Sequence, residues 1–465
     1  MKKKPSPKNG HRYAQETKLI WGEAYTPKWD YSHHVIPPIS SSSTFRLDSS
    51  QRGARGFVEF AHHGEDFRVH TKEPIYIYDR LGEPNKDLLE ENLAMAEGSE
   101  CAVTFASGMG AVSALCGILL GSGSEIVAHR TLYGCTYSLF KNWMPRYRVK
   151  VTWVDFTDLK ALANAVSPQT RLLYFETPVN PTLELIDLNA VAEIARSHNR
   201  HRKHENMIHT AVDNTFATPF CQRPIEAGID FVVESLTKGL CGFGTDVGGV
   251  VAGPSWSYDR LLMYRKDFGG ILSPKAAWPI LVYGLPSLAV RFRQQMQNAQ
   301  VVAEALERDD RVRSVRFPGL DTFPQRSLAH VQMHDYDGRF APGTMVYFTV
   351  VGDSAGERHA NAKAVVDFIA EHSYTLTLAV SLGSIRTLIE HPGSMTHSSI
   401  PPERQLEGGM DPGGIRLSVG LENPDDIIHD LREAFEHARI SKLKRGNGQS
   451  RTHRKAVRRG RLALS

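Results

Sequence analysis

Short apolar segments alternate with amphipathic ones through the middle of this 465-residue chain. The apolar segments are five to eight residues long, as buried strands are, and the segments between them carry helical spacing, as in LNAVAEIARSH. This alternation predicts an α/β fold with a mostly parallel, doubly wound sheet, because parallel neighbours need a helical crossover. The segments interpreted as strands are CAVTFA, EIVAH, VKVTWVD, RLLYFE, HTAVDN and DFVVESLT.

Two glycine-containing segments indicate where helices begin and end. DLLEENLAMAEG, residues 87–98, predicts an amphipathic helix that Gly98 ends, since glycine readily adopts the left-handed conformation found after helices. SGMGAVSALCGILLG opens on glycines and continues as a helix. The 24 uncharged residues between Glu100 and Glu125 are long enough to cross a bilayer, but they are interpreted as a strand, a glycine turn and a packed helix.

Four regions are predicted along the chain. Residues 1–82 are polar and rich in turn-forming residues and are interpreted as an extended arm. Residues 83–288 contain the alternation and form a large domain, and residues 289–440 form a smaller α/β domain with strands such as TMVYFTVV and GIRLSVG. Residues 441–465 are basic, lack periodic apolar residues and are predicted to be disordered.

The net charge of +4 is unevenly distributed. The segment from Arg439 to the end has ten Lys and Arg and no acid, so residues 1–438 carry a net charge of −6 once these ten are taken from +4. The overall basic balance therefore does not indicate a nucleic-acid-binding protein. Contact between the tail and nucleic acid is kept as a remote alternative to a solvated tail.

The placement of cysteines and histidines bears on whether the chain binds a metal and on the compartment in which it works. The five cysteines are scattered with no C-x-x-C pair, which favours a reducing compartment, the cytoplasm, and disfavours structural zinc. The basic start, MKKKPSPKNGHR, is not followed by the apolar segment of a signal peptide. No metal site is expected in HNRHRKHENMIH, residues 198–209, because its arginines and lysine repel cations, and AHHGED, residues 61–66, is interpreted in the same way.

A lysine in a glycine-rich segment is the first candidate for chemistry. Lys238 in SLTKGLCGFGTDVGG follows a predicted strand, with hydroxyls before it at Ser235 and Thr237 and glycines after it. One interpretation is a lysine that forms a Schiff base with a cofactor, while the two hydroxyls bind the cofactor's phosphate. The alternative is an ordinary lysine in a glycine-rich turn.

A phosphate site is predicted upstream. In FASGMG, residues 105–110, a strand runs into a helix through glycines, which leaves backbone N–H groups at the positive end of the helix dipole. The spacing resembles half of a dinucleotide-binding motif, but Val112 and Ser113 occupy the place of its third glycine, and no ribose-binding acid follows at the right distance. The segment therefore favours a single phosphate over a nicotinamide cofactor.

Asp213 stands at the carboxyl end of the apolar strand in HTAVDNTFATP. A carboxylate there can pair with a protonated pyridine nitrogen and keep the ring electron-withdrawing, or it can cap the following turn. The order of phosphate loop, aspartate and then Lys238, 25 residues later, favours the cofactor interpretation.

Nine segments over residues 75–435 resemble the cysteine/methionine-metabolism family of enzymes that depend on pyridoxal 5′-phosphate (PLP), which includes cystathionine γ-synthase, cystathionine γ-lyase, O-acetylhomoserine sulfhydrylase and methionine γ-lyase. The resemblance implies an aspartate-aminotransferase-type fold with a large and a smaller C-terminal domain, and a homotetramer of two dimers. It also implies that Tyr78 and Arg80 of the arm reach the phosphate in the neighbouring subunit. The segments are YDRLGEPN, SGMGA, TLYGCT, FETPVNP, VDNTFATP, SLTKG, SLG, HPGSMTH and GIRLSVGLE.

The resemblance also implies a role for individual residues. Lys238 would bind PLP covalently and then carry protons between substrate carbons, and Tyr133 would stack on the cofactor ring and protonate the leaving sulfur. Arg416, with Ser381, would hold the substrate α-carboxylate. The implied phosphate contacts are Gly108, Met109, Ser235 and Thr237, and the implied ring contacts are Asp213 and Asn180, although an asparagine between prolines also suits a turn.

Three positions favour the methionine γ-lyases within this family. Cys135 replaces a common glycine, Lys266-Asp267 resembles the lining of their active site, and Val380 stands where cystathionine γ-lyases have glutamate. The alternatives are a small buried cysteine and an exposed ion pair. Arg386 replaces a usually acidic residue and, with the insertion at 198–209, indicates a divergent branch.

The expected reaction is α,γ-elimination of L-methionine or homocysteine, which gives 2-oxobutanoate, ammonia and a thiol. A γ-replacement enzyme, either cystathionine γ-synthase or O-acetylhomoserine sulfhydrylase, is the alternative, because both reactions share an intermediate and differ in the admission of a thiol. Cystathionine γ-lyase is a further alternative. The expected partners are a small sulfur-containing amino acid and other copies of the chain, with neither a membrane nor nucleic acid.

Overall fold

Seven strands form the larger sheet of the computed structural model, which describes residues 13–22, 34–61, 75–398 and 402–440. The strands lie in the order β1-β7-β6-β5-β4-β2-β3; β2 to β6 are mutually parallel, and β7 is antiparallel to both of its neighbours. The predicted mostly parallel sheet and its six predicted strands are confirmed, and β7 is an additional strand. The bounds are β1 Cys101–Phe105, β2 Glu125–His129, β3 Lys150–Val154, β4 Thr170–Glu176, β5 His209–Asp213, β6 Phe231–Ser235 and β7 Gly249–Gly253.

Helices cover both faces of this sheet and bury two apolar clusters against it. The helix predicted at residues 87–98 is present and ends at Gly98, whose φ of 68° is the left-handed conformation expected there. The helices are α1 Gln15–Trp21, α2 Ser50–Glu59, α3 Pro84–Glu97, α4 Gly108–Leu119, α5 Gly134–Ser138, α6 Leu159–Ala165, α7 Leu188–Asn199, α8 Thr218–Cys221, α9 Tyr258–Phe268 and α10 Pro274–Pro279.

The uncharged segment between Glu100 and Glu125 becomes strand β1 and helix α4, as predicted. Among the described residues, no helix is long and apolar enough to cross a membrane. The basic tail at 441–465 and most of AHHGED lie outside the described residues.

A second sheet of five strands, in the order β10-β11-β12-β9-β8, has its own apolar core. Only β10 and β11 are parallel, so this smaller sheet is mostly antiparallel. Its strands are β8 Val312–Arg316, β9 Met345–Val350, β10 Leu376–Leu378, β11 Thr387–Glu390 and β12 Gly414–Ser418, and the remaining helices are α11 Leu285–Arg308, α12 Arg326–Gln332, α13 Ala355–His372, α14 Pro402–Glu407 and α15 Pro424–His437.

Helix α11 joins the two cores. Its first half, through Phe292, is buried in the core of the larger sheet, and its second half, from Ala299, is buried in the core of the smaller one. The domain boundary predicted between residues 288 and 289 falls on this helix.

Candidate active site

The carboxyl ends of three parallel strands bring the predicted site residues to one edge of the larger sheet. Glu176 ends β4, Asp213 ends β5 and Ser235 ends β6, and Glu176 lies in register with Asp213. Lys238 follows Ser235 by three residues. This edge is where open α/β sheets bind their ligands.

A cradle for an anion lies beside this edge at the start of α4. Ser107 caps the helix by accepting a hydrogen bond from the Gly110 backbone N–H at 3.0 Å. A Cβ on Gly108 would come within 3.1 Å of the Cβ of Ser235, and a Cβ on Gly249 would overlap the carbonyl oxygen of Ser107. The helix N-terminus and the hydroxyl of Ser235 therefore converge, as the sequence predicted, and glycine is required at the point of closest approach.

Two further predicted phosphate contacts lie in this region. The Thr237 hydroxyl accepts a hydrogen bond from the backbone N–H of Gly248 at 3.1 Å. Met109 lies in the first turn of α4, and its sulfur accepts a hydrogen bond from the Thr136 hydroxyl at 3.6 Å. Both residues are held in place by contacts within the chain.

Lys238 is partly buried, and its amine donates a hydrogen bond to the Ser381 hydroxyl at 2.7 Å. Burial and the positive charge of Arg416 lower the pKa of Lys238 to about 8, while Glu390 and Asp213 act in the opposite direction. Ser381 has a φ of 103°, a conformation that side chains other than glycine rarely adopt. The backbone therefore stores strain at the residue that receives the amine's hydrogen bond.

Arg416 on β12 is 2% exposed. Its guanidinium donates to the Asn180 side-chain oxygen at 2.9 Å and to the Ser381 carbonyl at 2.8 Å, and it forms an ion pair with Glu390 at 3.0 Å. Its Nε–H has no partner among the described residues. Burial lowers the pKa of Arg416, and Glu390 partly opposes this shift. The structure thus joins Lys238, Ser381, Asn180 and Arg416 in one cluster.

Two acids in this cluster were not given roles in the sequence analysis. Glu390 lies in register with Arg416, and the Thr396 hydroxyl donates to it at 2.9 Å. Glu176 accepts the backbone N–H of Tyr133 at 2.6 Å. Burial raises the pKa of both carboxyls. Their signal in the sequence is an acid at the end of an apolar strand, in TLIE and RLLYFE, directly beside a recognised motif.

Tyr133 precedes α5 and is 37% exposed. Burial of the phenol and a hydrogen bond with Cys135 raise the pKa of Tyr133, so the phenol keeps its proton at neutral pH. Cys135 is exposed beside it and is therefore not the small buried residue considered as an alternative.

Asp213 caps the turn after β5, which is one of its two predicted roles, and it lies close enough to Lys238 for their charges to interact. One carboxylate oxygen accepts the backbone N–H of Thr215 at 3.0 Å, which caps the turn after β5. Burial raises the pKa of Asp213, and the contacts with Thr215 and the charge of Lys238 oppose this shift. The cap and the proximity to Lys238 are compatible, because a carboxylate accepts several hydrogen bonds.

Four other predicted residues form a separate group. Arg80 donates to the backbone carbonyl of Lys266 at 2.7 Å and lies 5.5 Å from the ring centre of Tyr78. Lys266 forms an ion pair with Asp267 at 3.0 Å. Within the described part of the chain, no hydrogen bond or ion pair joins this group to Lys238.

These features fit a phosphorylated pyridine aldehyde. A glycine cradle at a helix N-terminus suits its phosphate, an amine with a lowered pKa suits covalent attachment, and a carboxylate at a strand end suits the ring nitrogen. The unpartnered Nε–H of buried Arg416 leaves a donor for a carboxylate.

Comparison with known proteins agrees with this fit. The family described as Cys/Met metabolism PLP-dependent enzymes matches residues 16–436. The chain is 41% identical over 405 residues to an L-methionine γ-lyase from Porphyromonas gingivalis, which covers 86% of this chain and 92% of that protein. A cystathionine γ-lyase structure from Lactobacillus plantarum aligns with a TM-score of 0.78 at 29% identity, over 92% of this chain and 100% of that one.

A cystathionine γ-synthase structure from Xanthomonas oryzae pv. oryzae also aligns with a TM-score of 0.78, at 31% identity over 92% of this chain and 99% of that one. The predicted fold class and the predicted PLP cofactor are therefore confirmed. The chain belongs to the Cys/Met metabolism family of PLP-dependent enzymes.

Proposed function

We propose that the protein is a carbon–sulfur lyase that carries out α,γ-elimination of L-methionine, and of homocysteine, to 2-oxobutanoate, ammonia and a thiol. The observation that carries this proposal is the hydrogen-bonded arrangement of Lys238, Ser381 and Arg416, which sets an amine with a lowered pKa beside a buried carboxylate-binding guanidinium. The 41% identity to an L-methionine γ-lyase supports this choice of substrate.

The residues that would hold PLP follow from the cradle and the strand ends. Gly108, Met109, Ser235 and Thr237 would bind the phosphate, and Asp213 and Asn180 would contact the ring. When bound, PLP supplies an electron sink that stabilises negative charge on the substrate carbons. Tyr78 and Arg80, grouped with Lys266 and Asp267 away from Lys238, would serve the site of a neighbouring subunit.

Lys238 would carry the protons. With a pKa of about 8, about 10% of the amine is neutral at pH 7, against about 0.03% for an ordinary lysine. A neutral amine can take a proton from the substrate α-carbon and return it elsewhere. The Ser381 hydroxyl, at 2.7 Å, would orient the amine between these transfers.

Arg416 would bind the substrate α-carboxylate through its remaining donor and so fix the α-carbon near Lys238. Glu390 shares the guanidinium and keeps its charge balanced before substrate binds. The substrate carboxylate would then add a second negative charge to the same cation.

Tyr133 would donate the proton that the departing thiolate requires. Its raised pKa keeps the phenol protonated, and its exposed fraction leaves it accessible from the site. Val380, apolar and 57% exposed beside Ser381, offers no charge to the end of the substrate. A methylthio group suits this environment better than the distal ammonium of cystathionine.

We further propose that the protein acts in the cytoplasm as a homotetramer of two dimers. The Tyr78 group supports the assembly, because no hydrogen bond or ion pair among the described residues joins it to Lys238 of its own subunit. Sedimentation of the holoenzyme tests this, and a stable monomer with full activity would contradict it.

The test of the reaction is release of 2-oxobutanoate from L-methionine alone by the purified holoenzyme. We expect release from wild type and none from Lys238→Ala, and borohydride reduction should fix a pyridoxyl label on Lys238. Reaction of O-acetylhomoserine with sulfide, in the absence of any release from methionine, would instead identify a γ-replacement enzyme.

A further inference from the structure

An open basic cleft lies at the amino end of β4, away from the candidate active site. Its volume is about 760 Å³, within the range of small-molecule sites. Because Thr170 begins β4 and Glu176 ends it, the cleft and the active-site edge are separated by about 20 Å along the strand. The cleft is lined by Val166, Ser167, Pro168, Arg171, Ser197, His198, His201, Arg202, Lys203 and Asn206.

Two guanidiniums in this cleft are held by neutral groups. Arg202 donates to the carbonyls of Ser167, Pro168, Thr170 and Asn206 at 2.6 to 3.3 Å. Arg171 donates to the carbonyls of Pro168 and Thr170 and to the side-chain oxygen of Asn206. Carbonyl oxygens fix the position of a guanidinium but do not cancel its charge. Burial and the positive charge of Arg171 lower the pKa of Arg202, so the two cations oppose each other.

The surroundings leave this charge uncompensated. The lining contains no acid, and neither guanidinium forms an ion pair within 4 Å among the described residues. Glu125, which accepts from the Ser167 hydroxyl, is already paired with Lys150 at 2.6 Å. Glu193 on α7 is paired with Arg196 and Arg200. Two fixed guanidiniums and the exposed Lys203 therefore line one cleft, while residues 1–438 together carry a net charge of −6.

We propose that this cleft binds a small anion that carries adjacent phosphate groups. The two guanidiniums already donate from their terminal nitrogens to oxygens of the chain, so they would attract phosphate through their charge and remaining N–H groups, and Lys203 adds a point charge. Three cations require more than one negative charge on the ligand, and the volume admits a molecule the size of a nucleotide. The insertion at residues 198–209 supplies five of the ten lining residues and so acquires a function independent of the elimination reaction.

The test is a calorimetric titration of the full-length holoenzyme with inorganic triphosphate in a phosphate-free buffer. We expect saturable binding at one site per chain, weakened about tenfold between about 50 and 200 mM salt. Lys203 is exposed at the rim of the cleft, and Lys203→Glu should weaken triphosphate binding more than tenfold. The matched exchange Lys363→Glu, at an exposed position of α13, should leave this binding unchanged. Unchanged cofactor absorbance in both variants verifies that they fold.

In the triphosphate titrations, three results would overturn the proposal: absence of saturable binding, equal loss in both lysine variants, or undiminished binding in Lys203→Glu, which would place the anion on the tail. Titrations with ATP and adenosine separate the sources of the phosphate groups. Binding of ATP tighter than that of triphosphate would support a nucleotide, and equal binding would support a simple polyphosphate. Displacement of triphosphate by an oligonucleotide at lower concentration would overturn the proposal in favour of a nucleic-acid surface.

Discussion

The buried carboxyl pair of Glu97 and Glu234 makes the stability of this protein depend on pH. Glu97 ends α3 and Glu234 lies in β6, with exposures of 1% and 0%. The two carboxyls are close enough for the charge of Glu97 to raise the pKa of Glu234, and the Asn214 amide donates to Glu234 at 3.0 Å. Two ionised carboxylates only accept hydrogen bonds, so their contact requires a shared proton.

Burial raises the pKa of Glu97 from 4.5 to about 7, and burial and the charge of Glu97 raise that of Glu234 further. The folded state therefore holds a proton that the unfolded state releases near pH 4.5. The stabilising contribution is complete below pH 4.5, falls as the pH rises and is lost above pH 7. The shift of Glu97 alone corresponds to about 3 kcal/mol of the free energy of unfolding.

Replacing Glu97 by Gln removes the part of this pH dependence that comes from Glu97, because the amide can donate to Glu234 without needing a proton. We expect Glu97→Gln to match wild type at pH 5 and to unfold a few degrees higher at pH 8, in thermal scans of the holoenzyme. The control Glu371→Gln, on the exposed surface of α13, should behave alike at both pH values. An equal difference between Glu97→Gln and wild type at pH 5 and pH 8 would refute the shared proton.

Three other predictions concern the active site. Arg416→Lys loses a charge-assisted hydrogen bond worth about 1.5–3 kcal/mol, so the KM for methionine should rise about tenfold to a hundredfold, with cofactor absorbance retained. An unchanged KM would place the carboxylate elsewhere. Tyr133→Phe removes the donated proton and should lower kcat by about 10²–10⁴-fold, measured as 2-oxobutanoate release, and a kcat within twofold of wild type would exclude that role. The rate at which apoenzyme incorporates PLP should rise about tenfold from pH 6 to pH 7 and level off above pH 8. The reason is that only the neutral amine of Lys238 reacts and its pKa is about 8. A pH-independent rate would contradict this.

Local patterns predicted the elements that depend on nearby residues. The strand ending at Asp213 and the helix ending at Gly98 follow from apolar spacing and from glycine's access to positive φ, and both are observed. Strand β7 was missed, because GVVAG is short and bounded by glycines, and it exists through pairing with β1 and β6. Long-range pairing of this kind leaves no local periodicity.

The same limit applies to the site. The order of Asp213 and Lys238 after a phosphate loop led to the prediction that both residues serve one cofactor, and the structure places them at one sheet edge. Glu390 escaped prediction because its role depends on the register of β11 with β12, which sets it beside Arg416. Sequence spacing does not encode that register.

Two of the hydrogen bonds that join the larger and smaller sheet regions, those of Lys238 and Asn180, have an evolutionary consequence. Lys238 and Asn180 belong to loops of the larger sheet, whereas their partners Ser381 and Arg416 belong to the smaller one. We therefore expect substitutions beside Ser381, such as at Val380, to change which amino acid is accepted, because they leave the glycine cradle and Asp213 of the larger sheet unaltered. Relatives with different substrates can diverge in this way from one ancestral scaffold.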